Sequence, residues 1–150
     1  MAKDADPDLV ERLVGMSHGE YTTLQLEVAR KRAPARRPRE LMDQFARDGY
    51  VRPSPLDPRA VHRVDGIVLD ALPDAFEAVD LSPVAPLGTV SAVAKASQDK
   101  ICSAQRSLEV VSDPTNVLAL IAAGRRQRDP RGGPVRLHAS HRALRMPKVA

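Results

Sequence analysis

Glu109-Val110-Val111-Ser112-Asp113-Pro114-Thr115-Asn116-Val117-Leu118-Ala119-Leu120 is the stretch that decides the fold. Leu108, Val110 and Val111 make a short strand. Asp113 can then accept a hydrogen bond from a free first-turn amide, and Pro114 loses nothing at the first position of a helix, where the N–H lacks a partner anyway. Val117, Leu118, Ile121 and Ala122 share one helical face, and Arg125, Arg126 and Arg128 fall in the last turn, where cations meet the negative end of the helix dipole. The spacing predicts a strand over 108–111 that feeds directly into a capped helix over 114–127.

The same start signal occurs upstream. Asp57-Pro58 opens a run in which Val61, Val64, Val68 and Leu72 line one face, beside Ala60, Ile67 and Ala71, which predicts a helix over 58–72. Phe76 to Leu81 alternates as a strand, and Ser82 to Thr89, with two prolines and a glycine, reads as a loop. Residues 98–105 read as a short helix that includes Cys102. Downstream, Asp129 to Gly133 is a turn, and Val135 to Ala139 alternates as part of a strand extending towards residue 144. Residues 1–48 carry three helical stripes, at Leu9 to Val14, Leu24 to Lys31 and Leu41 to Phe45, parted by Pro34 and Pro38 and stopped by Gly49. The predicted class is α+β: a helical N-terminal region over 1–48, then an α+β part over 49–150 with a small, mainly antiparallel sheet and packed helices.

Composition narrows the function. The chain has 150 residues, 43% of them hydrophobic and 28% charged, so it can bury one core of ordinary domain size. Aromatic residues make up only 3%, which argues against the stacking platforms that read single-stranded nucleic acid. The single cysteine, Cys102, excludes an internal disulfide and fits a reducing, cytoplasmic compartment; with apolar neighbours it reads as a small buried hydrophobe. Met1 to Asp8 has no apolar signal core, and the longest apolar run, Val117 to Ala123, is far shorter than the roughly 20 residues a membrane span needs, so no membrane partner is expected.

The formal charge of +4 is unevenly spread. Residues 125–150 hold eight Lys and Arg against one acidic residue, and Arg30, Lys31, Arg32, Arg36, Arg37 and Arg39 form a run of six cations in ten residues. Such runs can follow a phosphate backbone, although more of them are solvated helix ends or linkers. No glycine pattern matches a nucleotide loop. His138 and His141, three apart on a strand, project to opposite faces and do not form a metal pair, so no metal ligands are assigned. His18 and His62 have no evident partners and read as surface residues.

Ser112 to Asn116 places a carboxylate, hydroxyls and an amide at a helix N-terminus just after a strand. Capping explains Asp113; Thr115 and Asn116 are either ordinary first-turn residues or reach a ligand. Here the chain resembles the class II aminoacyl-tRNA synthetase core, in the form found in histidyl-tRNA synthetase and the regulatory subunit of ATP phosphoribosyltransferase. Glu109 to Leu120 is similar to its strand and helix in which an acidic residue, a spacer and a threonine line the amino-acid pocket. Gly133 to Arg145 is similar to the strand of its second motif, with Arg145 at the place of a phosphate-binding arginine, and helix 58–72 with Phe76 to Pro83 is similar to its first motif.

The resemblance implies a pocket for an amino acid or nucleotide, ATP included, at Asp113, Thr115 and Arg145, and pairing into a homo-oligomer, or with a partner subunit, through the first-motif helix and strand. There are departures. Val111-Ser112 stands where the family has an arginine before the acidic residue, and neither the return strand of the second motif nor the third motif follows Arg145. The expectation is therefore a non-catalytic or truncated paralogue with no catalytic residue assigned, because adenylation needs its phosphate clamps together. The alternative expectation is a small basic nucleic-acid-binding module acting through Arg30 to Arg39.

Overall fold

The computed structural model describes residues 5–144 and 146. They divide into two compact units, one running to Val51 and including Gln105–Ser107, the other comprising Arg52–Ala104 and Leu108 onward.

The first unit is helical. α1 (Pro7–Val14) starts with Asp6 accepting from the Asp8 amide at 3.1 Å. α2 (His18–Arg32) starts with a reciprocal cap: the Ser17 hydroxyl accepts from the Glu20 amide at 3.3 Å, and the Glu20 carboxylate accepts from the Ser17 amide at 2.9 Å. α3 (Pro38–Arg47) has proline at its first position, as the break after Pro34 requires. None of the three helices buries a residue fully, so their apolar stripes are only partly covered. His18 does have a partner, since its Nδ1 lies 2.9 Å from Ser107 Oγ.

The second unit is the α+β part. α4 (Pro58–Asp70) opens at the Asp57 cap, whose carboxylate accepts from the Arg59 amide at 3.0 Å. Its expected core face is mostly bare: Val64 is 58% and Ile67 68% exposed. β1 (Glu77–Ala78) follows, then β2 (Val84–Pro86), α5 (Thr89–Val93), a 3-10 turn at Gln98–Lys100, β3 (Ser103–Ala104), β4 (Leu108–Val110), α6 (Pro114–Arg128) and β5 (Leu137–His138).

The strands make two separate sheets. β2, β4 and β3 form an antiparallel sheet with β4 in the centre, in a register that sets Val84 against Val110 and both Ala85 and Ser103 against Glu109. β1 pairs with β5 in parallel, Glu77 opposite Leu137. The parallel pair corrects the expectation of one mainly antiparallel sheet carrying all these strands. A second correction concerns 82–89, read as a loop: it contains β2. Pro86 is tolerated there because β2 is an edge strand, where a residue without an N–H can face away from the ladder. Gly88 follows at φ +92°, a left-handed backbone that glycine adopts without penalty, and it turns the chain into α5.

Residues 98–105 are a single 3-10 turn and then β3, so Cys102 is half-buried between them rather than inside a helix. The last strand is also shorter than expected. The Gly132 carbonyl is taken by Arg126 at 2.6 Å, ladder bonding begins with the Glu77 amide donating to Arg136 at 3.0 Å, and β5 is two residues long. Further on, the Leu144 amide reaches the Val111 carbonyl at 2.9 Å. Arg125 at the end of α6 grips Glu77 through both guanidinium nitrogens, at 2.5 and 2.6 Å, tying β1 to α6. Among the described residues no helix is long and apolar enough to cross a membrane.

Among the described residues the buried apolar side chains are Leu81, between β1 and β2, Ala85 on β2, Val90 on α5 and Val111, just after β4. Thr89, Glu109, Ser112 and Asn116 are buried with them. So high a polar share in a small core requires specific partners, because an unpaired polar group out of water costs about as much as an apolar side chain gains.

Candidate ligand-binding site

Two of the buried polar residues, Ser112 and Asn116, line one cavity. Strand β4 ends at Val110, the chain passes through Val111 and Ser112, and Asp113 starts α6, so the sequence brings strand end and helix start to the same point. α5 packs against α6 from the other side. Between them is a cavity of about 320 Å³, lined by Val90, Ala94, Ala96 and Ile101 on the apolar side and by Ser97, Ser112, Asp113 and Asn116 on the polar side. That volume suits a small metabolite.

Asp113 faces two ways. One oxygen, Oδ1, accepts from the Thr115 amide at 3.0 Å and from the Thr115 hydroxyl at 2.6 Å, so the carboxylate caps α6 as the sequence predicts while also lining the cavity. Thr115 is exposed, and its hydroxyl is spent on Asp113; it does not line the cavity. Arg145 lies outside the described residues. Of the two expected ligand residues that lie among the described ones, Asp113 lines the cavity and Thr115 does not.

Asn116 takes the place that Thr115 was expected to hold. In the first turn of α6, it is 7% exposed and lines the cavity. Its backbone amide is separately occupied by the Asp113 carbonyl at 3.3 Å. A carboxamide at the cavity wall offers both a donor and an acceptor to a ligand.

Glu109 supports the site from behind. It is 1% exposed and its carboxylate accepts three hydrogen bonds: from the Gly88 amide at 2.8 Å, the Val90 amide at 3.0 Å and Gln98 Nε2 at 3.3 Å. The first two donors are unpaired amides at the start of α5, which is the natural place for a carboxylate. Nothing in the sequence marks Glu109, since an acidic residue between Leu108 and Val110 looks like the solvent side of a strand. The one available signal is that its face is shared with Val111, which is buried.

The basic run lies elsewhere, at the end of α2 and the start of α3. Arg30 pairs with Glu27 at 2.6 Å and Arg37 with Glu40 at 2.7 Å; Arg36 reaches Gln44 at 2.9 Å. Glu40 is consequently held below the ordinary carboxylate range, chiefly by the Arg37 hydrogen bonds. Among the described residues, Lys31, Arg32 and Arg39 form no ion pair, and all six cations are exposed. A further depression lies between α4, β1 and β5, where the Ser140 hydroxyl donates to Asp65 at 2.6 Å near Asp80 and His138. Among the described residues no three His, Cys, Asp or Glu side chains are arranged to hold a metal ion.

Comparison of the chain with protein-family models, with curated proteins and with solved structures gives no match.

Proposed function

We propose that the protein is a class II synthetase-like paralogue that acts by binding a small ligand, an amino acid or a nucleotide, in the cavity at the start of α6, and by subunit association rather than by catalysis. The observation that carries this is Asn116: a buried residue whose carboxamide-bearing side chain lines a cavity of metabolite size. An ammonium or hydroxyl of the ligand would meet the Asp113 carboxylate, its apolar part the side chains of Val90, Ala94 and Ile101, and a polar edge the Asn116 amide. For association, the bare Val64 and Ile67 on α4 supply an apolar face that a second copy would cover.

The test is calorimetric titration with the standard amino acids, one at a time, and with ATP. At least one should bind, with affinity little changed by salt and weakened roughly tenfold by Asn116→Ala, the loss expected from a buried hydrogen bond. The nucleic-acid reading retains one supporting observation, the unpaired Lys31, Arg32 and Arg39. Binding of that kind would fall steeply with ionic strength and ignore Asn116.

A further inference from the structure

Two stretches of chain make the apolar and hydroxyl walls of the cavity: the start of α5, which supplies Val90, and the turn after α5, which supplies Ser97 and Ile101. Both are short pieces. α5 is five residues long, and the turn at Gln98–Lys100 is a single 3-10 turn, so neither has internal hydrogen bonding enough to fix its own position. Both are fastened to one carboxylate. Glu109 Oε2 takes the Gly88 amide and Oε1 the Val90 amide, which anchors the first wall; Oε2 also takes Gln98 Nε2, which anchors the second. Gln98 Nε2 donates in addition to Ser91 Oγ at 2.8 Å, linking the two walls directly. The carboxylate itself stands on β4, the central strand, the most firmly held element available.

We propose that Glu109 is a positioning residue for this cavity, setting the separation of its two walls and hence the size of ligand it accepts; this rests on the ligand-binding reading above. The side chain does not line the cavity, and it acts through Val90 on one side and through Gln98 on the other. A carboxylate is needed because two backbone amides approach its two oxygens. A glutamine there would accept through one oxygen and turn an NH₂ group towards the other donor.

The experiment uses the full chain and two variants, Glu109→Gln and Gln98→Ala, with amide hydrogen exchange, a thermal melt, and titration with the standard amino acids and ATP as probes. Glu109→Gln should expose the Gly88 or the Val90 amide to exchange while the β2–β4 ladder stays protected. Gln98→Ala should leave Gly88 and Val90 protected, speed exchange at Ile101, move the melt little, and weaken the probe bound by the native chain roughly three- to tenfold. Unchanged exchange at Gly88 and Val90 in folded Glu109→Gln overturns the proposal, as does Gln98→Ala with native exchange at Ile101. If Glu109→Gln does not fold, Gln98→Ala alone decides. If the native chain binds none of the probes, the ligand-binding reading fails; the wall positions are then judged by exchange at Ile101 in Gln98→Ala. A melt that drops while probe affinity holds would make Glu109 a purely structural residue.

Discussion

Asp57 and Asp113 make the same bond: each caps a helix that begins with proline, by accepting from the amide two residues on at 3.0 Å. Replacing either by alanine removes one N-cap, worth about 1 kcal/mol. The consequences should nevertheless differ, because the two helices are covered differently. α6 buries Asn116, packs on α5 and contacts β5, so its first turn cannot fray without opening the core. α4 buries no residue, and its apolar face is largely in solvent. Asp113→Ala should lower the thermal midpoint of the second unit by roughly 4–8 °C, the shift that about 1 kcal/mol produces in a cooperative unit of roughly a hundred residues. Asp57→Ala should speed hydrogen exchange in the first turns of α4 and leave the midpoint nearly in place, since local opening below the global barrier does not limit the melt. Asp113→Asn, which keeps a capping oxygen, should stay close to the native midpoint. Circular dichroism melts of the three variants are the assay. Equal midpoint shifts for Asp57→Ala and Asp113→Ala would show that α4 is as firmly packed as α6 and refute the burial argument.

Leu118→Pro, in the middle of α6, should destabilise the fold by about 3 kcal/mol or more through a lost hydrogen bond and a clash with the preceding turn; an unmoved melt would contradict a packed helix there. Glu77 is held below its ordinary value of 4.5 chiefly by the Arg125 hydrogen bond, and Glu20 likewise by the Ser17 hydroxyl. A carboxylate lowered in the folded state adds stability that is present above its unfolded value and is lost as pH falls through its folded one, so acid should weaken the chain below about that ordinary value. Glu77 is exposed, so the effect should be small and fade with added salt, and Glu77→Gln should flatten the acid limb at low ionic strength; identical acid limbs would count against the pair. The purified chain should catalyse no amino-acid-dependent exchange between pyrophosphate and ATP, and robust exchange would overturn the non-catalytic reading. Sedimentation should show self-association that Ile67→Lys weakens; a monomer at every concentration would remove α4 as an association surface.

Helix starts were legible because their chemistry is local. Asp57-Pro58 and Asp113-Pro114 state their own caps, and both helices begin where those pairs place them. The sheet was less legible, because pairing is a long-range choice. Nothing in Glu77-Ala78 names Leu137-His138 as its partner, and Pro86 hides a strand whose position at the edge is what makes the proline acceptable. Periodicity likewise located the apolar face of α4 without saying whether anything covers it. At the site, Asp113 could be read from the cap it makes. Glu109 could not, since its role depends on two amides about twenty residues upstream, near a glycine turn that only the folded chain brings opposite β4. Asn116 and Thr115 are adjacent and alike in sequence; the helical rotation between them sends one to the cavity and the other to solvent.

The most direct test of a ligand site at the start of α6 is a nuclear magnetic resonance titration that follows the Asn116 side-chain NH₂ group together with the backbone amides of the whole chain. The standard amino acids and ATP are added one at a time, at low and at high salt. The account predicts that at least one of these probes shifts the Asn116 side-chain signals and the amides of Val90 and Ser112, equally at both salt concentrations. It is contradicted if no probe moves those signals, or if the only shifts fall on residues 30–39 and vanish as salt is raised.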